Sequence, residues 1–144
     1  IPTPRIVVCG LNPHASDNGV IGDQENKQIK PVIQKLRVKF KMQVHGPLPA
    51  DVAIYKAKIK EYDSCIAMYH DQALIPLKLL GFDSGVNMTF GLPFVRTSPL
   101  HGTAFDISEN PKLANPNSLI EAIKLAVRCT VNQKNVNIPL NFNK

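Results

Sequence analysis

Two of the four histidines in this chain follow apolar runs. "RIVVCG", residues 5–10, leads into a loop that holds His14, and "SCIAMYH", residues 64–70, ends at His70 with Asp71 beside it. In open α/β sheets, ligands collect beyond the carboxyl ends of the strands. If the two runs are neighbouring parallel strands, both imidazoles project from one edge and can share a divalent transition metal. Ligation then needs a third donor, and Asp71 would orient His70 or serve as a further acid. A lone histidine at such a place is ordinarily a satisfied structural residue; repetition at two strand ends is what raises the metal alternative. Lys78 interrupts the next apolar pattern, Asn87 lies in the alternating run after it, and Arg96 lies beyond. Singly, each is an ordinary surface or snorkelling side chain. Together, two cations and an amide near a metal suit a phosphate or a carboxylate. His101 opens "HGTAFDISENPKLANP", in which Gly102 would let a ligand approach the backbone. Asp106 and Asn115 follow at positions that a plain surface turn also explains. Neither a GxGxxG motif nor a P-loop is present.

Strands and helices must position these groups. "RIVVCG" is rich in β-branched residues and closes on glycine, so it reads as a buried strand. The loop "LNPHASDNGVIG" follows. Ile29, Val32, Ile33, Leu36 and Phe40 then recur at helical spacing, with Asp23 as a possible N-cap and Pro31 as either a kink or the true first turn. A brief strand and a Pro-rich loop occupy 42–51, a short helix runs from about 50 to 62, and a second buried strand is expected over 64–70. "QALIPLKLLG" is helix-like despite Pro76; "GVNMTFG", 85–91, alternates as a strand does, and "PFVRTS", 93–98, is extended. Ser118 and Glu121 have capping-box spacing, and Ile120, Ile123, Val127 and Thr130 share a helical face. Residues 132–144 read as a polar tail. Alternating strands and helices predict an α/β fold in three layers, with helices on both faces of the sheet. The connection between "GVNMTFG" and "PFVRTS" is too short for a crossover, so the sheet is expected to be mixed, mostly parallel. No repeat or linker divides residues 1–131, which form one domain in this reading.

A chain of 144 residues is about one domain. Its 44% hydrophobic and 19% charged residues make it globular rather than disordered. No apolar run approaches the ~20 residues that span a bilayer, and no charged-then-apolar leader opens the chain. The net charge of +6 comes largely from lysines in or beside helical patterns, such as Lys35, Lys39, Lys56 and Lys60. They read as solvated faces. Aromatic interleaving and nucleic-acid motifs are lacking, so neither nucleic acid nor membrane is an expected partner, while the overall field favours small anions. Cys9, Cys65 and Cys129 form no metal-type cluster and read as free thiols in a reducing, cytoplasmic setting. Residue 1 is isoleucine and the first residues run straight into a strand, so the chain is expected to be a piece of something longer.

The segments "VCGLNPHA", "GPLPAD", "AMYHDQ", "LKLLGF", "GVNMTFGLPFVRTS" and "HGTAFD" occur in this order. Together they resemble the C-terminal half of the 4-hydroxythreonine-4-phosphate dehydrogenase family, over roughly residues 5–131. The resemblance implies an isocitrate/isopropylmalate dehydrogenase-like domain, one of two α/β domains in a homodimeric subunit, with the N-terminal half absent here. It also implies NAD or NADP and a divalent metal, whether zinc, magnesium or cobalt. His14 and His70 match two of the family's metal ligands, and Lys78, Asn87 and Arg96 match its substrate-binding positions. "HGTAFDI…ANP" is similar to the nucleotide loop of the wider superfamily. That likeness implies that His101, Gly102, Thr103, Ala104, Asp106 and Asn115 line the adenosine end of the cofactor, where Asp106 would suit a free ribose hydroxyl better than a 2′-phosphate. The family's third histidine ligand and a His-Thr pair that contacts substrate belong to its N-terminal half.

The implied reaction is oxidation of 4-phosphohydroxy-L-threonine, a small phosphorylated amino acid, to a β-keto acid. That acid decarboxylates to 3-amino-2-oxopropyl phosphate in pyridoxal 5′-phosphate (vitamin B6) biosynthesis. The chain alone is expected to be inactive and to hold metal weakly, and its residues identify no general base. One alternative is a related metal-dependent dehydrogenase acting on another hydroxy acid or a dihydrodiol. From another class, a metal-dependent hydrolase or a non-catalytic binding module would bind no NAD.

Overall fold

The computed structural model describes residues 1–135, which gather into two compact units, Ile1–Pro76 and a second beginning at Leu77. The first is built on three parallel strands. β1 (Arg5–Cys9) lies between β2 (Gln43–Leu48) and β3 (Ser64–Ile66). Successive side chains of a strand point to opposite faces. Accordingly, Val7 and Cys9 pack against Ala53 on one side, while Val8 packs with Val44 and Ile33 on the other. Ile33 belongs to α1 (Lys30–Phe40) and Ala53 to α2 (Ala50–Lys58), so a helix covers each face of this sheet. Full burial of one such valine or isoleucine is worth about 1.5–3 kcal/mol.

Pro31 occupies the first turn of α1, where a missing N–H costs nothing. Of the two expectations for Pro31, its place in the first turn of the α-helix is the one observed. A wide turn over Glu25–Ile29 leads into it. Asp23, expected as an N-cap, accepts the Lys27 backbone N–H at 2.9 Å through its carbonyl, but its carboxylate pairs with the Lys27 ammonium and makes no side-chain cap bond. The amino end of β1 is clasped by Asp63, whose carboxylate accepts from Arg5 N, Nε and Nη2 at 2.8, 3.0 and 3.0 Å. The bond from the Arg5 guanidinium holds that carboxyl down to about 2. At the other end, Gly10 N donates to Leu48 O at 2.7 Å. The free thiols of Cys9 and Cys65 lie 3.5 Å apart across β1 and β3.

The strand expected over 64–70 is shorter than its apolar run. It stops at Ile66 and is an edge strand, with Ser64 and Ile66 exposed and Cys65 half-buried. The cause is Gln72, which is buried. Its Oε1 accepts the Met68 N–H at 2.7 Å, and its Nε2 donates to Gly10 O at 2.8 Å. The chain turns off the ladder there, and His70 opens α3 (His70–Gly81) instead of ending a strand.

The second unit carries the hairpin β4 (Val86–Thr89) and β5 (Arg96–Pro99), paired antiparallel, and α4 (Asn117–Asn135). Among the described residues this hairpin is a sheet of its own and not part of one mixed sheet with β1–β3. Its ends are met by α4. Ser118 Oγ accepts the Leu100 N–H at 2.8 Å and donates to Gly85 O at 2.7 Å, and Thr97 Oγ1 donates to Ala122 O at 2.9 Å. Ser118 is therefore committed to the hairpin and closes no capping box; Glu121 pairs with Lys124 at 2.8 Å. α4 also continues past the expected boundary at 131, while 136–144 of the expected tail lie outside the described residues. Among the described residues, no helix is long and apolar enough to cross a membrane.

Candidate active site

His14 stands in an unusual turn. From His14 to Asn18 five consecutive non-glycine residues have positive φ, at 53, 51, 69, 44 and 56°. The left-handed conformation costs an L-residue roughly 1–2 kcal/mol, so the turn persists only because its surroundings over-determine it. Asn12 O accepts the Ala15 N–H at 3.1 Å, and Ser16 O accepts the Ile21 N–H at 3.0 Å. The turn rests on Gly10, where an added Cβ would come within 2.7 Å of Ala15 Cα. Glu25, fully buried, reaches the same place: its Oε1 accepts the Asn12 N–H at 2.7 Å and its Oε2 accepts from Asn12 Nδ2 at 2.8 Å. Burial pushes the Glu25 carboxyl up, but the bonds from the Asn12 backbone and side chain outweigh it and hold the group below its ordinary range.

His14 follows β1 and His70 follows β3. These strands are adjacent and parallel, so the two histidines leave from the same edge of the sheet, and Gln72 ties the first turn of α3 to the end of β1. Both are exposed. His70 Nδ1 lies 2.7 Å from Asp71 Oδ1, the contact expected of an orienting acid. With the proton on Nδ1, the Nε2 lone pair is free for a cation. Among the described residues, no three His, Cys, Asp or Glu side chains are grouped closely enough to hold a metal. His14 and His70 are imidazoles, donors of the type a transition metal takes, while Asp71 is engaged with the His70 ring and no third donor is grouped with them among the described residues.

In the second unit, register aligns Asn87 with Ser98 and Thr89 with Arg96. Residues two apart share a face, so Asn87 and Arg96 stand together on one face of the hairpin, where Arg96 Nη1 donates to Thr89 Oγ1 at 2.9 Å. The other face, with Thr97, turns to α4. Lys78 extends its ammonium over the Phe82 ring, 5.9 Å from the centroid.

A cavity of about 370 Å³ lies in the same unit. His101, Gly102, Ala104, Asp106 and Asn115 line it; Thr103, Lys78, Asn87 and Arg96 do not. Five of the six residues singled out for a nucleotide thus face one space. Phe82, Asp83, Ile107, Leu113, Ala114 and Ser118 complete the wall and were not foreseen. Phe82 closes the segment "LKLLGF" but neither it nor Asp83 carries a nucleotide signal, and both lie well before the loop in the chain. The lining carries two carboxylates and no Lys or Arg. Its charge suits hydroxyl or amino donors better than a phosphate.

The family model described as "Pyridoxal phosphate biosynthetic protein PdxA" matches residues 1–126. The chain belongs to this family. Its relatives are named as dehydrogenases. A 4-hydroxythreonine-4-phosphate dehydrogenase of Roseobacter denitrificans is 58% identical over 126 residues, covering 88% of this chain and 38% of that protein. A D-threonate 4-phosphate dehydrogenase of Salmonella typhimurium is 53% identical over 125 residues, covering 87% of this chain and 38% of that protein. The crystal structure of a Klebsiella pneumoniae 4-hydroxythreonine-4-phosphate dehydrogenase superposes with a TM-score of 0.73 at 48% identity, over 88% of this chain and 38% of that one. The chain thus spans about 38% of the length of these PdxA-family relatives.

Proposed function

We propose that the protein carrying this chain is a metal- and NAD(P)-dependent dehydrogenase of 4-phosphohydroxy-L-threonine, working in pyridoxal 5′-phosphate biosynthesis. The observation that carries this reading is the convergence of five nucleotide-loop residues on one acidic cavity. In this reading the chain belongs to an isocitrate/isopropylmalate dehydrogenase-like domain in a two-domain, homodimeric, cytoplasmic enzyme.

His14 and His70 hold the cation, and Asp71 fixes the His70 ring through Nδ1. A cation there, whether zinc, magnesium or cobalt, would supply Lewis acidity toward the substrate hydroxyl, and a nicotinamide cofactor would supply the hydride acceptor. Arg96 offers a planar fork to phosphate or carboxylate, Lys78 a point charge, and Asn87 an amide on the same hairpin face as Arg96. Asp106 accepts from the ribose hydroxyls, and Asp83 adds to the charge that disfavours a 2′-phosphate; NAD is accordingly the better fit of the two cofactors. Backbone at His101 and Gly102 borders the nucleotide without side-chain bulk at 102, Thr103 flanks it, and Asn115 supplies an amide. The β-keto acid formed then loses CO2 to give 3-amino-2-oxopropyl phosphate.

Calorimetric titration of NAD into the chain tests the cavity: saturable binding, weakened by substitution of Asp106, is expected, and absence of binding would move the chain to the hydrolase or binding-module class. A second substrate has specific support, since a relative at 53% identity is named for D-threonate 4-phosphate. NADH formation by the protein that carries this chain, with each phosphorylated substrate in turn, separates the two. The chain alone, with two imidazoles and no third ligand, is expected to show no turnover.

A further inference from the structure

We infer that Glu25 is a positioning residue for His14, a buried carboxylate that holds the strained left-handed turn in place through Asn12. Acids are almost never fully buried unless paired, yet Glu25 is 0% exposed and forms none of the ion pairs found among the described residues. Its partners are instead the Asn12 N–H and Nδ2 donors. Both belong to Asn12 at the mouth of the turn, two residues before His14, where the left-handed run begins. Asn12 Nδ2 also donates to Gln24 Oε1 at 2.8 Å, so the mouth is anchored to the start of the wide turn on both sides of one side chain. An added Cβ on Gly10 would meet Glu25 Oε1 at 3.2 Å and Ala15 Cα at 2.7 Å, so carboxylate and turn are seated on the same glycine. A fully buried acid in this place does what a solvated one cannot. It accepts two bonds at fixed angles, and an unmet charge there is too costly to let Asn12 leave. Its role in catalysis rests on the proposed metal site; its hold on the turn does not.

Glu25→Gln is the direct test, and a double variant that adds Asn12→Asp is its complement. In the single variant the introduced amide nitrogen faces Asn12 Nδ2, donor against donor. In the double variant that amide nitrogen donates to the new carboxylate at position 12, the amide oxygen still accepts the backbone N–H of position 12, and Gln24, which now faces an acceptor, must turn its amide to donate to it. Two readouts are taken by NMR on the 144-residue chain. The first is the strong intraresidue amide–Hα cross-peaks that positive φ produces at 14–18. The second is the shift of the His14 and His70 rings on titration with Zn2+. We expect Glu25→Gln to abolish the cross-peaks and weaken the His14 response at least tenfold, leaving the amides of β1 to β3 unmoved, and the double variant to restore both. Unchanged cross-peaks and Zn2+ response in Glu25→Gln would overturn the inference. So would a double variant no better than the single one, or collapse of the whole spectrum in both, which would make Glu25 a general core requirement. If Zn2+ moves neither ring in the unsubstituted chain while the cross-peaks follow the expected pattern, the metal site fails and the positioning role stands.

Discussion

Asp106 and Asp83 give the cavity of the second unit a sign as well as a shape, because no Lys or Arg offsets them in the wall. A carboxylate facing a ribose accepts from its hydroxyls and repels a phosphate at the same position. Asp106→Asn keeps the shape and removes one charge. It should narrow the preference for NAD over NADP by about tenfold, some 1.4 kcal/mol, in parallel titrations of the two cofactors; an unmoved ratio would take Asp106 out of ribose recognition. At the end of β1, Gly10→Ala should displace the His14 turn, since its Cβ would meet backbone rather than a flexible tip. The expected result is loss of the His14 response to Zn2+ with the His70 response kept. That His14 and His70 follow β1 and β3 was legible in the sequence because strand ends leave a local pattern, whereas Asp106 read locally as a surface turn and entered as a candidate only through the resemblance. Glu25 was not: an acid ahead of an apolar helical pattern looks like any solvated charge, and only the fold shows it closing on Asn12. Nor does "NPHASDN" betray five left-handed residues, which depend on contacts with Gly10 and Glu25 outside the turn.

Among the elements, β1 was readable because both of its faces are buried, so "RIVVC" is apolar beyond its first residue. β3 misled for the opposite reason. Its apolar run continues to Tyr69, but Gln72 accepts the Met68 N–H and donates to Gly10 O, and the second of these is a tertiary bond that no local pattern encodes. Ser118 and Glu121 misled in the same way, with cap-like spacing used for other ends. The two readings of that pair predict different energetics. Ser118→Ala leaves the buried Leu100 N–H and Gly85 O without their partner and should cost about 1–3 kcal/mol. Glu121→Gln loses only a surface pair with Lys124 and should be nearly neutral. Urea unfolding of both variants decides it, since a true capping box would make both costly. The clasp of Arg5 on Asp63 has a pH signature. Its folded carboxyl lies near 2, below the ordinary carboxylate value of about 3.9. A depressed folded value stabilises above the unfolded one and is lost as pH falls through the folded one. The stability gap between the chain and Asp63→Asn should therefore be full above about pH 4 and close as pH approaches 2.

For the whole molecule, composition and alternation sufficed for an α/β fold with a parallel sheet, and the helices on both faces of β1 follow from the same alternation. The separate hairpin did not follow, because ladder partners are chosen in space and the ends of β4 and β5 are taken by α4. Both units leave large apolar side chains in water: Val20 is 81% exposed, Leu79 82% and Phe105 80%. Exposure on that scale is what the proposed two-domain homodimer would bury. The chain is therefore expected to self-associate as its concentration rises, measurable by analytical ultracentrifugation. A strictly monomeric chain at high concentration would count against the homodimer.

β1 carries a latent ambiguity. Its middle is Ile-Val-Val, alike on both faces, so moving the strand along by one residue would still leave grease against α1 and α2 alike. Hydrophobicity cannot tell the two alignments apart; the ends must do the counting. Asp63 seizes Arg5 at one terminus, and Leu48 O takes the Gly10 N–H at the other. Because His14 hangs from that second terminus, a miscounted strand would deliver the imidazole about 3.3 Å out of place. The placement of His14 that the proposed chemistry needs is therefore set partly by an arginine clasp at the far end of the strand.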